Sequence, residues 1–253
     1  MLVSTVARTL VLIGMTMQVA SVIRPTLLGK IPFRSPGFIN LIEVTSSSGQ
    51  KYNLVISSSQ PYNQVGLVKD IGSLLNSVNT ISPDVINTGL LAPNLISGVP
   101  DSALGASEPY IAIPSGFLDP DRRDGTITLQ PLRDGAETVL TQPNQEWFYS
   151  KVQWVDMNKD GFLDVVTSES HSRSFGEIDG ELVYLTNPQS GRLTNQWAEM
   201  FIGNGPDMFF THTTVQVALA LKEVIITADF YNAKLQVFWT ESLTDDWSDQ
   251  TLV

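Results

Sequence analysis

"KVQWVDMNKDGFLDVVTSES", residues 151–170, is two short apolar runs joined by an oxygen-rich bend, and the same outline returns later in the chain. Aligned with "TVQVALALKEVIITADF" (214–230), Val152-Gln153 falls on Val215-Gln216 and Asp164-Val165-Val166-Thr167 falls on Glu223-Val224-Ile225-Ile226-Thr227, with four loop residues lost between. Each copy is followed by a second apolar run, "GELVYLTNP" from Gly180 and "AKLQVFWTE" from Ala233. Then "QWAEMFI" (196–202) answers "DWSDQTLV" (246–253), with Trp197 over Trp247. Each unit therefore holds four strand-like pieces in one order.

Weaker copies lie upstream. "FINLIEV" (38–44), "YNLVISS" (52–58) and "VGLVKDI" (65–71) read as a first unit, and "EPYIAIP" (108–114), "DGTITLQPL" (124–132) and "ETVLTQ" (137–142) as a second. The markers Asn53, Glu108, Asp164 and Glu223 are spaced by 55, 56 and 59 residues. A period in the fifties with four short strands per unit fits a propeller blade, a small antiparallel sheet that buries its faces only against neighbouring blades. The expectation is an all-β chain: a β-propeller of four-stranded antiparallel blades, with units at 38–90, 91–148, 149–206 and 207–253. Four units make either a small ring or a piece of a larger one, and the piece is favoured. "VKDIGSLLNSVNTI" is the best helix candidate, with a loop carrying one helical turn as its alternative.

Composition narrows the function classes. With 15 Lys+Arg against 26 Asp+Glu, the formal charge is −11, so a nucleic-acid partner would be repelled along most of the surface. The chain has no cysteine, which removes disulfides, zinc thiolates and cysteine nucleophiles together. At the amino end, Arg8, the apolar run from Leu10 to Ala20 and the small residues around Ser21 read as a secretory signal over 1–21, followed by an N-terminal segment over 22–37. An uncleaved anchor or a first helix is the alternative for 1–21, and no other segment is expected to span a membrane.

In the bend, Asp156, Asn158 and Asp160 recur at every second position, and Gly161 lets the backbone turn back. The Phe162 carbonyl and the Asp164 carboxylate can complete a shell of hard oxygens. That donor set suits Ca²⁺, which takes six to eight oxygens and tolerates irregular geometry. An EF-hand begins in the same way but needs a Glu at loop position twelve, here Thr167, and helices on both flanks. A solvated Asx-rich turn without metal is the remaining alternative. Three acids and an amide at this spacing favour calcium, at one site, because the other units lack the pattern.

"VDMNKDGFLDVV" resembles the calcium loop of FG-GAP/VCBS repeats, which build the integrin-α-like β-propeller, and "GELVYLTNP" resembles the strand that closes such a repeat. The resemblance is specific in the third unit. It implies that Asp156, Asn158, Asp160, the Phe162 carbonyl and Asp164 ligate a structural Ca²⁺ between the first two strands of one blade.

Other candidates read more plainly. His171 is expected in an exposed loop and His212 just before an inner strand, neither with a catalytic partner at a legible spacing. "DPDRRDG" (119–125) suits a charged hairpin, "GNGPDMFF" (203–210) a crossover between blades, and the five tryptophans, two of them matched, a blade-to-blade core, with a lectin-like use of one exposed Trp as the alternative. The expected function is a secreted calcium-binding module for binding or adhesion to a protein or glycan partner. An extracellular lyase or hydrolase with its site at the channel mouth, and a diverged fragment without activity of its own, stand as alternatives.

Overall fold

The structure, a computed structural model, describes residues 25–46, 49–59, 61–116, 124–133, 135–142, 146–172, 178–205, 209–244 and 246–247. The segment read as a secretory signal and most of "DPDRRDG" lie outside the described residues. About half of the chain is strand.

The strands fall into four antiparallel sheets, each a simple meander in chain order. Blade 1 is β1 (Pro36–Ser46), β2 (Gly49–Ser58), β3 (Val65–Val68) and β4 (Asp84–Asn87). Blade 2 is β5 (Ser97–Gly98), β6 (Tyr110–Pro114), β7 (Ile127–Pro131) and β8 (Thr138–Val139). Blade 3 is β9 (Phe148–Val155), β10 (Asp164–Ser172), β11 (Ile178–Thr186) and β12 (Ala198–Asn204). Blade 4 is β13 (Phe209–Val217), β14 (Ala220–Asp229) and β15 (Lys234–Trp239); of the run expected as its fourth strand, the described residues reach only Trp247. The sheets stand in a ring, the arrangement of a four-bladed β-propeller.

Strand alternation explains how the blades stick together. Side chains of opposite parity point to opposite faces of a strand, so each sheet offers one apolar face to the blade before it and one to the blade after. Three buried clusters result. Ile42, Val55 and Leu67 of blade 1 pack on Ile111 and Ile113 of blade 2, with Ile96 between them. Ala112, Ile127 and Leu129 of blade 2 pack on Tyr149, Val165 and Leu185 of blade 3, with Trp197 enclosed. Val166, Leu182 and Tyr184 of blade 3 pack on Phe210 and Ile225 of blade 4, with Met157 and Trp247 enclosed. Trp197 and Trp247 are thus blade-to-blade core, as their matched positions suggested.

Polar bonds fix the register between the first strands of neighbouring blades. Asn40 Nδ2 donates to the Ile96 carbonyl at 2.9 Å, and Lys151 Nζ donates to the Phe210 carbonyl at 2.8 Å. Gln153 and the His212 backbone exchange two bonds of 3.2 and 3.1 Å. Between blades 4 and 1 the picture differs. Among the described residues no buried apolar cluster joins them, and Leu235, Val237 and Trp239 on one side and Ile39 and Leu41 on the other stay more than half exposed.

The helix candidate around 68–81 is a 3-10 helix, Ile71–Thr80, with non-helical angles at Ser77 and no buried residue.

Candidate metal loop and interblade cavity

The oxygen-rich bend spans 156–163 and joins β9 to β10, so its flanks are strands, as propeller geometry requires and EF-hand geometry forbids. Lys159 (φ 59°) and Gly161 (φ 89°) take left-handed angles that let the chain reverse. Met157 points inward, fully buried between blades 3 and 4, and its carbonyl accepts from the Trp247 backbone N–H at 3.2 Å. The polar tip is therefore anchored by an apolar root.

The acids hold the bend by accepting backbone N–H groups. Asp156 Oδ2 accepts from Gly161 at 3.0 Å, and Asn158 Oδ1 accepts from Asp160 at 3.2 Å. Asp160 Oδ1 accepts from Phe162 at 2.9 Å, while its Oδ2 accepts from the side chains of Gln189 and Asn158 at 3.0 and 3.1 Å. Asp164 is fully buried and accepts from Met157 at 2.8 Å on one oxygen and from Asn187 at 2.8 Å on the other.

Electrostatics separates the two acids. Burial lifts the Asp164 carboxyl to about 6 in spite of those N–H bonds. Burial acts on Asp160 as well, but the bonds from Phe162, Gln189 and Asn158, with Arg192 nearby, hold it below the usual carboxylate range.

The donors of this bend are all hard oxygens, the chemistry a Ca²⁺ ion takes. Asp156 Oδ1 is buried and has no hydrogen-bond partner, so one carboxylate oxygen is left with an unmet demand inside the turn. Two features run the other way. Both Asp164 oxygens are already occupied by N–H groups, and among the described residues no group of three or more His, Cys, Asp or Glu side chains is gathered closely enough to hold an ion. In this conformation the turn is held by hydrogen bonds, and Asp156 Oδ1 is the carboxylate oxygen of the bend that none of them uses.

The histidines are not where the sequence places them. His171 lies within β10 rather than in a loop, and its Nε2 stands 3.5 Å from Asp179 Oδ2 on the paired strand β11. The strand outlasts its polar sequence because Ser170, His171 and Ser172 keep the ladder to β11. His212 lies within β13, the first strand of blade 4, with its Nε2 3.5 Å from Glu223. Burial pushes the His212 imidazole below its ordinary value, against the pull of Glu223.

A cavity of about 280 Å³ opens where the end of β10 and the start of β11 meet the β14–β15 turn of blade 4, at the opposite end of the strands from the acid bend. Trp147 stands edge-on to His171, with ring centres 4.4 Å apart, and forms an apolar wall. Asp179 and Glu181 from blade 3 and Asn232, Lys234 and Gln236 from blade 4 complete most of the lining. Gly205 N–H donates to the Gly180 carbonyl at 2.8 Å within blade 3, and Gln236 Nε2 donates to the Asn204 carbonyl at 3.1 Å, which ties blade 4 to blade 3 beside the cavity. Gly205 has φ 146°, and a Cβ there would overlap the Gln236 amide oxygen.

Sequence reasoning singled out only His171 from this lining. The missed residues Asp179 and Asn232 sit in matching places, just ahead of the third-strand runs "GELVYLTNP" and "AKLQVFWTE", so polar residues at corresponding positions of successive units were the available signal. The chain matches no family model, no curated protein and no solved structure.

Proposed function

We propose that the protein is a calcium-stabilised β-propeller serving as an extracellular binding or adhesion module for a protein or glycan partner. The observation that carries the reading is the buried, partnerless Asp156 Oδ1 in a bend whose other donors are all oxygens. Asp156, Asn158, Asp160, the Phe162 carbonyl and Asp164 would hold the ion, and the resemblance to FG-GAP/VCBS repeats points to the same five positions.

The ion's contribution is charge. Asp156 and Asp160 bring two carboxylates into one short turn, where a divalent cation offsets their mutual repulsion and ties β9 to β10. Extracellular sites of this weak class bind at about 10⁻⁴ to 10⁻³ M, which suits the calcium level outside cells. The reading of 1–21 as a secretory signal agrees with that compartment. A rigid blade then presents the turns at its two ends to a partner, the usual use of loops on a stiff scaffold.

Calcium titration by isothermal calorimetry, on the whole chain and on Asp156→Asn, tests the reading. Saturable binding of one ion that weakens at least tenfold in the variant supports it. Heats indistinguishable from dilution at about 10 mM Ca²⁺, well above the expected range, would remove the metal from the account.

A further inference from the structure

We propose that the cavity between blades 3 and 4 binds a neutral saccharide, with Trp147 as its apolar wall and His171, Asn232 and Gln236 as hydrogen-bonding partners of the hydroxyls. The inference rests on the binding-module reading and names a site and a ligand class for it.

The cavity's lining selects the class. At about 280 Å³ it lies near the lower end of small-ligand clefts, which run from about 300 to 1,000 Å³. Apart from Trp147, its walls are mostly planar polar groups: carboxylates, amides and an imidazole. Such groups offer paired donors and acceptors in one plane, the arrangement that matches adjacent hydroxyls on a ring. An aromatic wall beside them covers the C–H face of a sugar. A purely apolar ligand would strip water from the polar groups and return no hydrogen bonds, at a cost of about 1–3 kcal/mol for each one left unmet.

Charge narrows it further. Asp179, Glu181 and Asp229 face the cavity together with Lys234 in a chain of net charge −11, so an anion is disfavoured. The Asp229 carboxylate is not an open cation trap either. Asp229 accepts both the backbone N–H and the side-chain amide of Asn232, at 2.9 to 3.1 Å, and Asp179 faces His171. The amides of Asn232 and Gln236 and the His171 ring add neutral hydrogen-bonding capacity.

Two atoms mark where a ligand is needed. His171 Nδ1 and Gln236 Oε1 are buried and have no hydrogen-bond partner, and both residues line the cavity. Gln236 Oε1 is an acceptor, and His171 Nδ1 is one as well when the ring proton sits on Nε2, 3.5 Å from Asp179 Oδ2, so each can take an O–H. Buried acceptors without partners are rare in folded chains, and two on one cavity argue for an outside donor. The Gln236 bond to the Asn204 carbonyl fixes the junction of the two blades before any ligand arrives, so little ordering is required on binding.

The test uses the whole chain and a panel of methyl glycosides of glucose, galactose, mannose, fucose and N-acetylglucosamine, read by saturation-transfer NMR and titration. The variants are His171→Phe, which keeps a ring against Trp147 and removes Nδ1, and Gln236→Leu; thermal melting confirms that each is folded. A calcium titration runs in parallel. Saturable binding of at least one glycoside, weakened at least tenfold by both variants, supports the inference. Absence of binding across the panel at about 50 mM, well above a millimolar dissociation constant, overturns it, as does binding that both variants leave unchanged. Sugar binding without calcium binding would sink the metal reading alone, whereas calcium binding without any glycoside would sink the saccharide site alone.

Discussion

Lys159 of the acid bend in blade 3 places its ammonium 2.8 Å from both carboxylate oxygens of Glu223 in blade 4. Glu223 occupies the position that answers Asp164 in the unit that has lost its loop. The bend of one blade therefore supplies the cation for the corresponding acid of the next. Lys159 also donates to the Asp156 carbonyl at 2.8 Å, and Glu223 accepts from Trp247 Nε1 at 3.0 Å. Burial works against the charge on Glu223, but the bonds from Lys159 and Trp247 hold its carboxyl below the usual range.

Removing one partner leaves the other charge partly buried, since the two side chains are only 21% and 13% exposed. Lys159→Met should cost about 2 kcal/mol, within the range for charged hydrogen bonds, measured as a lower urea midpoint at unchanged slope. A loss below about 0.5 kcal/mol, the scale of an exposed pair, would show that the contact does not hold the blades.

Glu169 should make stability fall as pH rises. It is buried in β10, and burial, with the charges of Glu199 on β12 and Glu181 on β11, lifts its carboxyl to about 8 against the opposing bond from Tyr149 on β9. Between the ordinary carboxyl value of 4.5 and about 8, the folded chain holds a proton that the unfolded chain has released. The favourable contribution is thus complete below the lower value and is lost as pH climbs through the upper one. Glu169→Gln should gain on the parent chain between pH 5 and pH 8.5 in urea denaturation. Parallel pH profiles for the two proteins would contradict the assignment.

Two tryptophans should behave oppositely. Trp197 is fully buried between blades 2 and 3, whereas Trp239 is 52% exposed on the far side of blade 4. Trp197→Ala should cost about 3–5 kcal/mol and Trp239→Ala less than about 1 kcal/mol, compared by thermal melting. Similar losses at both positions would mean that the free face of blade 4 is covered in solution.

Gly125 should not tolerate alanine. A Cβ there would lie 2.5 Å from the Ser115 carbonyl oxygen and 2.6 Å from that of Trp147, both backbone atoms that cannot swing aside. Its N–H also donates to the Trp147 carbonyl at 3.0 Å, which places the cavity's aromatic wall. Gly125→Ala should lower stability by about 1–3 kcal/mol, as overpacking does, and a melting temperature equal to the parent's would contradict this packing.

The blades were legible in the sequence where strands are long enough to alternate. In blade 3, β9, β10 and β11 run eight or nine residues each and carry their apolar residues with the repeat. The opening strand of blade 2 left no trace, because Ser97–Gly98 is two residues long and its pairing to β6 is set by neighbouring blades. Residues 71–80 carry apolar side chains at nearly helical spacing but bury none of them, so only a kinked 3-10 helix forms there, between the buried Val68 and Ile81. The acid bend was legible because its residues are contiguous. The cavity was not: Trp147, His171, Asp179, Asn232 and Gln236 come from separate segments that meet only when blades 3 and 4 pack. Nor does strand patterning say how blade 4 meets blade 1, where Ile39, Leu41, Leu235, Val237 and Trp239 remain exposed.

The central claim is that the bend at 156–164 is a calcium clamp, and thermal unfolding with and without calcium tests it most directly. At about 5 mM Ca²⁺, several times the expected dissociation constant, the melting temperature should rise by a few degrees over the value in EGTA, and Asp160→Asn should abolish the rise. An identical melting temperature in calcium and in EGTA, or an equal rise in Asp160→Asn, would contradict the account.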